Sequence, residues 1–206
     1  MPNLPTEKQK LFQKCIEFHG HLCPGLAFGF QAAMAGMDFI SEARALDEEI
    51  VAIVETDACG TDAIQVITGC TFGKGNFIFK DYGKTAFTFI SRNSGKGVRI
   101  AKKYDPEPLL GARHQELTQL IRENKADKTD HEEFWDLHRA KAMQILEQAP
   151  EQLFTITGIT VAMPPKAKIE PSHPCDGCKE PTMASKLTQA DGGLFCQGCM
   201  AGMKLQ

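Results

Sequence analysis

Two groups of cysteine and histidine residues in this chain have the types and the spacing that metal binding requires. The first group is near the C-terminus, where Cys175 and Cys178 form one C-x-x-C pair and Cys196 and Cys199 form another. Two such pairs about twenty residues apart are typical of a tetrahedral Zn²⁺ site. The segment between them is too short and polar to form a hydrophobic core, so metal would supply the missing stabilisation. We therefore predict a structural zinc ribbon or treble-clef finger. Disulfides are the weaker alternative, because nothing in the sequence suggests export.

The second group begins in the segment Phe18–Gly25, where His19, His21 and Cys23 are spaced by two residues. In an extended chain, residues two apart point to the same side, so all three side chains could face one cavity. Imidazole and thiolate together suit Zn²⁺ or another transition metal. The proline after Cys23 is at a position typical of the first turn of a helix. We expect the helix dipole to lower the pKa of the Cys23 thiol.

Cys59 repeats this arrangement, because it follows a buried strand and precedes a helix that Thr61 is predicted to open. Two cysteines at two helix N-termini could meet over one ion. Asp57 and Asp62 could then orient a ligating imidazole through hydrogen bonds. We predict a core metal site that includes Cys59 with the histidines and the cysteine of the first segment.

The other cysteines and histidines outside the C-terminal zinc module are weaker candidates for ligands of the core metal site. Cys70 is predicted at the far end of the helix after Cys59, about 10 Å away at 1.5 Å per residue, and would join only if the next loop folded back. Its role stays open between a ligand and a buried thiol, and Cys15 is interpreted as a core residue. The other histidines have polar surroundings in the sequence and are interpreted as solvated: His114, His131, His138 and His173.

The hydrophobic pattern predicts an α+β fold, in which helices pack on an antiparallel or mixed sheet. Predicted helices are Thr6 to Gly20, Pro24 to Phe39, Thr61 to Gly69 and a helical region from Glu107 to about Gln148. Predicted strands are Glu49–Glu55, a hairpin of Asn76–Lys80 with Thr85–Ile90, Gly97–Ile100 and Phe154–Val161. The domain division that follows is a metal-binding core over 1–162, a proline-rich linker over 163–174 and a zinc module over 175–206.

Composition excludes several classes of function. The chain has 206 residues and a formal net charge of −3, which gives no electrostatic footprint for nucleic acid. It has no apolar N-terminal segment and no run of membrane-spanning length, so we expect no membrane partner and a cytoplasmic location with reduced cysteines. Local positive charge in the C-terminal part comes from five lysines: Lys166, Lys168, Lys179, Lys186 and Lys204.

The order of several motifs resembles the FmdE family of formylmethanofuran dehydrogenase components. These motifs are Phe18–Gly29, Asp57–Cys59, Asp62–Gln65 and Thr68–Asn76, and the resemblance covers roughly Phe12 to Arg99. It implies an α+β core with a metal-binding cleft, often for zinc, and a homodimer. The implied core ligands are His19, His21, Cys23, Cys59 and Cys70, and the C-terminal module is similar to the treble-clef finger of some members.

The resemblance also implies a function. It suggests an accessory component of the molybdenum or tungsten enzyme that reduces CO₂ onto methanofuran, with larger oxidoreductase subunits as partners. Nothing in the sequence is similar to a pterin-binding catalytic chain, so we expect a zinc metalloprotein and not the dehydrogenase itself. Two alternatives remain: a thiol-redox protein that uses Cys23 and Cys59, and a zinc finger that binds nucleic acid.

Overall fold

The structure is a computed structural model that describes residues 4–106 and 109–202. Its contacts divide the chain into two compact units, one up to Lys166 and the other from Ala167 onwards. Two residues that the predictions used lie outside the described residues, namely Glu107 and Lys204. None of the described helices is both long and apolar enough to cross a membrane.

The larger unit consists of helices packed on one five-stranded sheet, which confirms the predicted α+β class. Its helices are α1 (Thr6–His19), α2 (Pro24–Ile40), α3 (Gly60–Thr68), α4 (Gly111–Arg122), α5 (Lys128–Glu147) and the short α6 (Pro150–Leu153). Its strands are β1 (Ile50–Val54), β2 (Phe77–Phe79), β3 (Ala86–Ser91), β4 (Gly97–Lys102) and β5 (Phe154–Ile159).

The sheet has the order β2-β1-β3-β4-β5, with β1 parallel to β2 and every other pair antiparallel. The predicted hairpin between β2 and β3 is therefore wrong, because β1 lies between these two strands. Strand β1 pairs on both of its edges. All five of its residues are apolar and four are buried, as expected of a central strand. The loop after β2 is long enough to carry the chain across β1 to its other side.

Helix α2 is largely buried within the larger unit, and its small residues allow close packing. A Cβ atom on Gly29 would lie 2.2 Å from the backbone oxygen of Gly60 at the start of α3. A Cβ atom on Gly36 would lie 2.2 Å from the ring of Phe89 in β3. The first contact brings the N-terminus of α3 against α2, and each of these two helices follows a cysteine of the predicted core site.

The helix starts differ from the predictions by one or two residues. Thr6 is the first residue of α1, and Pro5 occupies the N-cap position with no side-chain cap. Cys59, not Thr61, occupies the N-cap position of α3. The predicted C-terminal glycines are correct, since Gly20 and Gly69 both adopt the left-handed conformation that ends a helix.

The helical region predicted up to Gln148 is two helices. The chain turns at Asn124, whose φ is +53°, a conformation that asparagine tolerates better than most residues. Helix α5 then begins with a capping box, in which Asp127 accepts from the amide of Asp130 and Asp130 accepts from the amide of Asp127. Gln31 on α2 donates from its amide group to the carbonyls of Ile145 and Gln148, which places the end of α5 beside α2.

In the residues that the structure describes, the smaller unit has two hairpins, a 3-10 turn at Ala184–Lys186 and one short helix. Its elements are β6 (Ser172–Pro174), β7 (Pro181–Met183), β8 (Leu187–Ala190), β9 (Gly193–Cys196) and α7 (Gln197–Met200). The last three residues of the predicted linker therefore form a strand. Among its described residues, only Cys175 is buried, so an apolar core does not hold this unit together.

Candidate metal centres

The four C-terminal cysteines converge on one point. Their sulfur atoms all lie within 4.8 Å of one another. Cys175 and Cys178 stand in the turn that joins β6 to β7, while Cys196 ends β9 and Cys199 lies in α7. A turn, a hairpin and a helix that carries the last ligand form the arrangement of a treble clef. The cluster fits a zinc finger, as the sequence predicts.

Backbone amides are directed at the sulfur atoms of this cluster. The amide of Cys196 donates to Sγ of Cys175 at 3.2 Å, and the amide of Cys199 donates to Sγ of Cys196 at 3.4 Å. Amide donors favour the thiolate, and they lower the pKa of Cys175 to about 6. A Cβ atom on Gly177 would lie 2.8 Å from Sγ of Cys199, so this position requires glycine for the close approach. The thiolate is thus favoured at Cys175, whereas the pKa of Cys178 is raised and the neighbouring thiol of Cys196 raises the pKa of Cys199 to about 12.

In the larger unit, His19, His21 and Cys23 also form a cluster, with one ligand atom of each within 4.8 Å of the others. Nδ1 of His19 donates to Oδ2 of Asp62 at 2.7 Å, because a carboxylate can only accept. In the neutral ring this bond makes Nε2 the acceptor nitrogen, and Nε2 lies 3.8 Å from Sγ of Cys23. The imidazole is thus held with its lone pair towards the cluster, the arrangement found for histidines that bind metals.

Cys59 lies beside the same cluster. A Cβ atom on Gly25 would lie 3.6 Å from Sγ of Cys59 and 3.9 Å from Sγ of Cys23. Both thiols therefore face one glycine in the first turn of α2, as expected for two cysteines at neighbouring helix N-termini. Asp62 is the carboxylate that orients the imidazole, whereas Asp57 is exposed to solvent.

The predicted lowering of the Cys23 pKa is wrong. Burial is the largest effect and raises the pKa of Cys23 to about 11, although the amide of Leu26 donates to its sulfur at 3.4 Å. The nearby thiol of Cys59 acts in the same direction as burial. The desolvation of the charged form outweighs the amides at the helix N-terminus. A bound cation would reverse this balance, because metals bind the thiolate.

Cys70 does not join the cluster. It follows the C-terminal end of α3, is fully buried, and donates its S–H to the backbone oxygen of Ile50 at 3.3 Å. Burial raises its pKa. The loop after α3 continues into β2, so it does not return Cys70 to the cluster. Cys15 is also fully buried, as expected of a core thiol.

Helix α5 supplies residues near the cluster that the sequence analysis missed. The ring of Trp135 lies edge-on to that of His21, with 5.7 Å between the ring centres. The rings of His21 and His19 are 4.4 Å apart. Trp135 is 41% exposed, so a large aromatic surface remains open beside His21. The available signal was the apolar helical pattern that includes Phe134 and Trp135, which was used only to predict the helical region that ends near Gln148.

Two histidines predicted to be solvated are packed instead. His114 stacks on Phe134 at 4.8 Å and meets His138 at 4.7 Å. Burial lowers the pKa of His114, and its Nε2 atom has no hydrogen-bond partner within the ranges that the structure describes. The rings are packed because α4 and α5 lie side by side. The other two histidines, His131 and His173, are exposed, as predicted.

The donor sets at both clusters fit a transition metal. Four sulfurs match a closed tetrahedral site. Two imidazoles and two thiols, one imidazole oriented by a carboxylate, match a site of mixed ligands in which a further position can remain open. His21 is exposed, so solvent and small molecules can reach this second cluster.

A family model described as "FmdE, Molybdenum formylmethanofuran dehydrogenase operon" matches residues 18–155. The chain belongs to the FmdE family. The match extends beyond Arg99, where the resemblance in the sequence ended, and includes α4 and α5. The aromatic residues near His21 therefore lie within the family region.

Two relatives give further comparisons. A probable S-adenosyl-L-methionine-binding protein of Archaeoglobus fulgidus is 32% identical over 198 residues, which is 90% of this chain and 52% of that protein. The chain thus spans about half the length of this relative. The crystal structure of an FmdE-like protein of the tungsten formylmethanofuran dehydrogenase type, from Syntrophus aciditrophicus, aligns with a TM-score of 0.62 and 21% identity. It covers 97% of this chain and 95% of the other, and the similarity concerns the fold.

Proposed function

We propose that this protein is an FmdE-type metalloprotein with two zinc sites of different purpose. The four C-terminal cysteines would hold a structural zinc ion. His19, His21, Cys23 and Cys59 would hold zinc or another transition metal in the larger unit. With an open position, that ion could activate water or bind a ligand such as a thiol. The protein would act in the cytoplasm as an accessory protein of one-carbon metabolism.

The observation that carries the proposal is the orientation of His19. Its Nδ1–H is bound by Asp62, and its free Nε2 is directed towards the buried thiol of Cys23. A packing role needs neither this tautomer nor a thiol beside it. The raised pKa of Cys23 argues in the same direction, because a neutral buried thiol gains little as a redox nucleophile at neutral pH. We therefore prefer a metal site to the thiol-redox alternative.

Metal analysis of the purified protein tests the proposal. We expect two zinc ions per chain, of which the Cys23→Ser/Cys59→Ser double variant keeps one. Cys15→Ser is the matched control, because Cys15 is a buried thiol outside both clusters. A single ion that the double variant retains would rule out the core site. Thiol titration with and without metal would separately detect a Cys23–Cys59 disulfide.

Binding of S-adenosyl-L-methionine is the second candidate. It is supported by the name of the Archaeoglobus fulgidus relative and by the open aromatic face of Trp135. Aromatic faces attract cations such as a sulfonium. Calorimetric titration of the zinc-loaded protein, with Trp135→Leu as the comparison, decides this candidate. Saturable binding that the variant loses would favour it, and no binding at millimolar ligand would end it.

The finger would dock a partner, either a second copy of the chain or a larger oxidoreductase subunit. This proposal is supported by three exposed apolar side chains of the smaller unit, which a partner could cover: Ile169, Met183 and Leu194. Light scattering of the whole protein, before and after Met183→Asp/Leu194→Asp, tests the homodimer. A monomeric wild-type protein would contradict a homodimer. Retention on DNA at low salt would instead favour the nucleic-acid alternative.

A further inference from the structure

A pair of histidines lies where α4 packs on α5. The rings of His114 on α4 and His138 on α5 meet edge to face, with 4.7 Å between their centres and 73° between their planes. Both rings also contact Phe134, at 4.8 and 4.5 Å, so this aromatic side chain packs against the whole pair. Neither histidine belongs to the core metal cluster or to the C-terminal cysteine cluster.

Each of the two rings has a nitrogen that can bind a metal. Nδ1 of His138 lies 3.1 Å from the carbonyl oxygen of Phe134, one turn earlier in α5. Because a carbonyl only accepts, Nδ1 is the donor and Nε2 of the neutral ring keeps its lone pair, as in histidines that bind metals. Nε2 of His114 is shielded from solvent and has no hydrogen-bond partner among residues 4–106 and 109–202. A buried nitrogen without a partner is unusual in a folded protein, and a bound ion accounts for it.

The spacing of the two rings matches that of two imidazoles on one ion. With Zn–N distances of about 2.1 Å and ligand angles of about 90–110°, the centres of two coordinated rings lie about 4.6–5.3 Å apart. The observed 4.7 Å is within this range. Imidazole suits zinc, copper and nickel. The two side chains supply two ligand atoms, so water or a small molecule would complete the coordination.

The contact between the two helices is fixed beside these histidines. Arg113 of α4 donates to both carboxylate oxygens of Glu133 of α5, at 3.0 and 2.6 Å. These two residues immediately precede His114 and Phe134 in the sequence. The rings are therefore carried by two helices that are joined at this point, which holds ligands more precisely than a loop does.

We propose that His114 and His138 bind a divalent transition metal ion, such as Zn²⁺, through their Nε2 atoms. The site is separate from the core cluster, although Trp135 contacts a ring of each: its ring centre lies 5.4 Å from that of His138 and 5.7 Å from that of His21. With two protein ligands, the ion is held more weakly than at a site of four ligands. It is lost during purification, so metal analysis of the purified protein counts only the ions of the other two sites.

Calorimetric titration of the zinc-loaded whole protein with further Zn²⁺ tests the proposal. We expect one additional ion per chain, with micromolar affinity. His114→Phe and His138→Phe keep an aromatic ring beside Phe134 but remove the nitrogens, and each should weaken the binding of this ion at least about tenfold. His131→Phe is the matched control, because His131 is an exposed histidine on the same helix, and its affinity should equal that of the wild type.

Nitrogen NMR of wild-type protein with ¹⁵N-labelled histidine gives a readout that does not depend on the folding of a variant. Zinc should shift the Nε2 resonances of His114 and His138 and leave those of His131 in place. The absence of an additional ion, unshifted resonances of these two nitrogens, or an additional ion that both Phe variants keep overturns the proposal.

The same titration of Cys23→Ser/Cys59→Ser separates this site from the core cluster. The additional ion should bind this variant as it binds the wild type, because no cysteine is among its ligands. Loss of the additional ion in the cysteine variant, with full binding in both Phe variants, would assign it to the core cluster and overturn the proposal. Failure of the proposed core site alone would leave the additional ion and its dependence on His114 and His138 unchanged.

Discussion

The two cysteine clusters of this chain are constructed in opposite ways. In the smaller unit, four sulfurs come from a short local segment with almost no buried apolar surface, so the ligands organise the fold. In the larger unit, the candidate ligands come from the end of α1, the loop after it and the N-termini of α2 and α3, all of which a substantial hydrophobic core already holds in place. The first cluster consists of four thiols, which matches the closed structural site that we propose. The second mixes imidazole with thiol and has an exposed histidine, which matches the open site that we propose.

Protonation distinguishes the clusters as well. Amides lower the pKa of Cys175 to about 6, whereas burial raises the pKa of Cys23 to about 11. Only part of the finger differs in this way, because the pKa of Cys178 is also raised and that of Cys199 is raised to about 12. The same residue type thus has a low or a high pKa according to whether amide donors or burial and neighbouring thiols dominate.

The largest effect is expected from Cys175→Ser/Cys199→Ser. Structural zinc contributes about 10–16 kcal/mol to small modules of this kind, far more than their own packing supplies. Residues 167–202 should unfold, become sensitive to protease and lose one zinc ion, while the core unit keeps its thermal transition. Limited proteolysis with mass spectrometry measures this. A protease-resistant module in the metal-free variant would contradict the view that the ligands organise it.

Next in size is Gly29→Ala, which tests the scaffold of the core cluster. The added methyl group would lie 2.2 Å from the Gly60 oxygen, so α2 and α3 must move apart. We expect a loss of about 1–3 kcal/mol in the free energy of unfolding, with weaker metal binding, because Cys23 and Cys59 begin these helices. Chemical denaturation measures it. Gly73→Ala is the control, because open space surrounds that position; an equal loss in both variants would argue against the helix contact.

Asp62→Asn should act on metal affinity with little effect on stability. The amide cannot hold the proton of His19 as the carboxylate does, and such changes typically cost about 10- to 100-fold in metal affinity. Competition with a chromogenic chelator measures it at the core site. Asp57→Asn serves as the matched control, since Asp57 is exposed. Unchanged affinity in Asp62→Asn would mean that His19 is not a ligand.

Metal affinity should rise with pH at both clusters. Below about pH 11, Cys23 is protonated in the metal-free protein and must lose its proton to bind metal. Core affinity should therefore rise about tenfold per pH unit for that thiol between about pH 6 and 8. In the finger, Cys175 with a pKa of about 6 adds no pH dependence above about pH 7, whereas Cys199, with a pKa raised to about 12, must release its proton as Cys23 does. Chelator competition across this range measures both, and a core affinity that does not change with pH would contradict the protonated state of Cys23.

The smallest effect is a spectroscopic one. Trp135 is the single tryptophan of the chain, and its ring lies 5.7 Å from that of His21. Cobalt at the core cluster should quench its fluorescence. In Cys23→Ser/Cys59→Ser, one cobalt ion per chain fills only the finger, so the remaining Trp135 emission should be higher than in cobalt-loaded wild-type protein. Identical quenching in wild type and variant would place the ion elsewhere.

Much of the fold could be predicted from local signals. The proline after Cys23, the β-branched run of β1 and the glycines at 20 and 69 are short-range features, and each element is where the sequence predicts it. The placement of β2 and β3 on opposite edges of β1 was not predictable in this way, because strand partners depend on contacts between distant segments. The contact of Trp135 with His21 joins residues over a hundred positions apart, and no local pattern contains it.

The sequence by itself determined the ligand types, the pairing of the C-terminal cysteines and the presence of helix starts after Cys23 and Cys59. These follow from spacing and from residue chemistry that acts over a few positions. The tertiary structure decided that Cys70 stays with the backbone of β1, that Asp62 and not Asp57 holds His19, and that Cys23 is a weak acid. It did so because burial, hydrogen-bond geometry and cavity shape depend on which distant segments pack together, and those contacts form only when the chain folds.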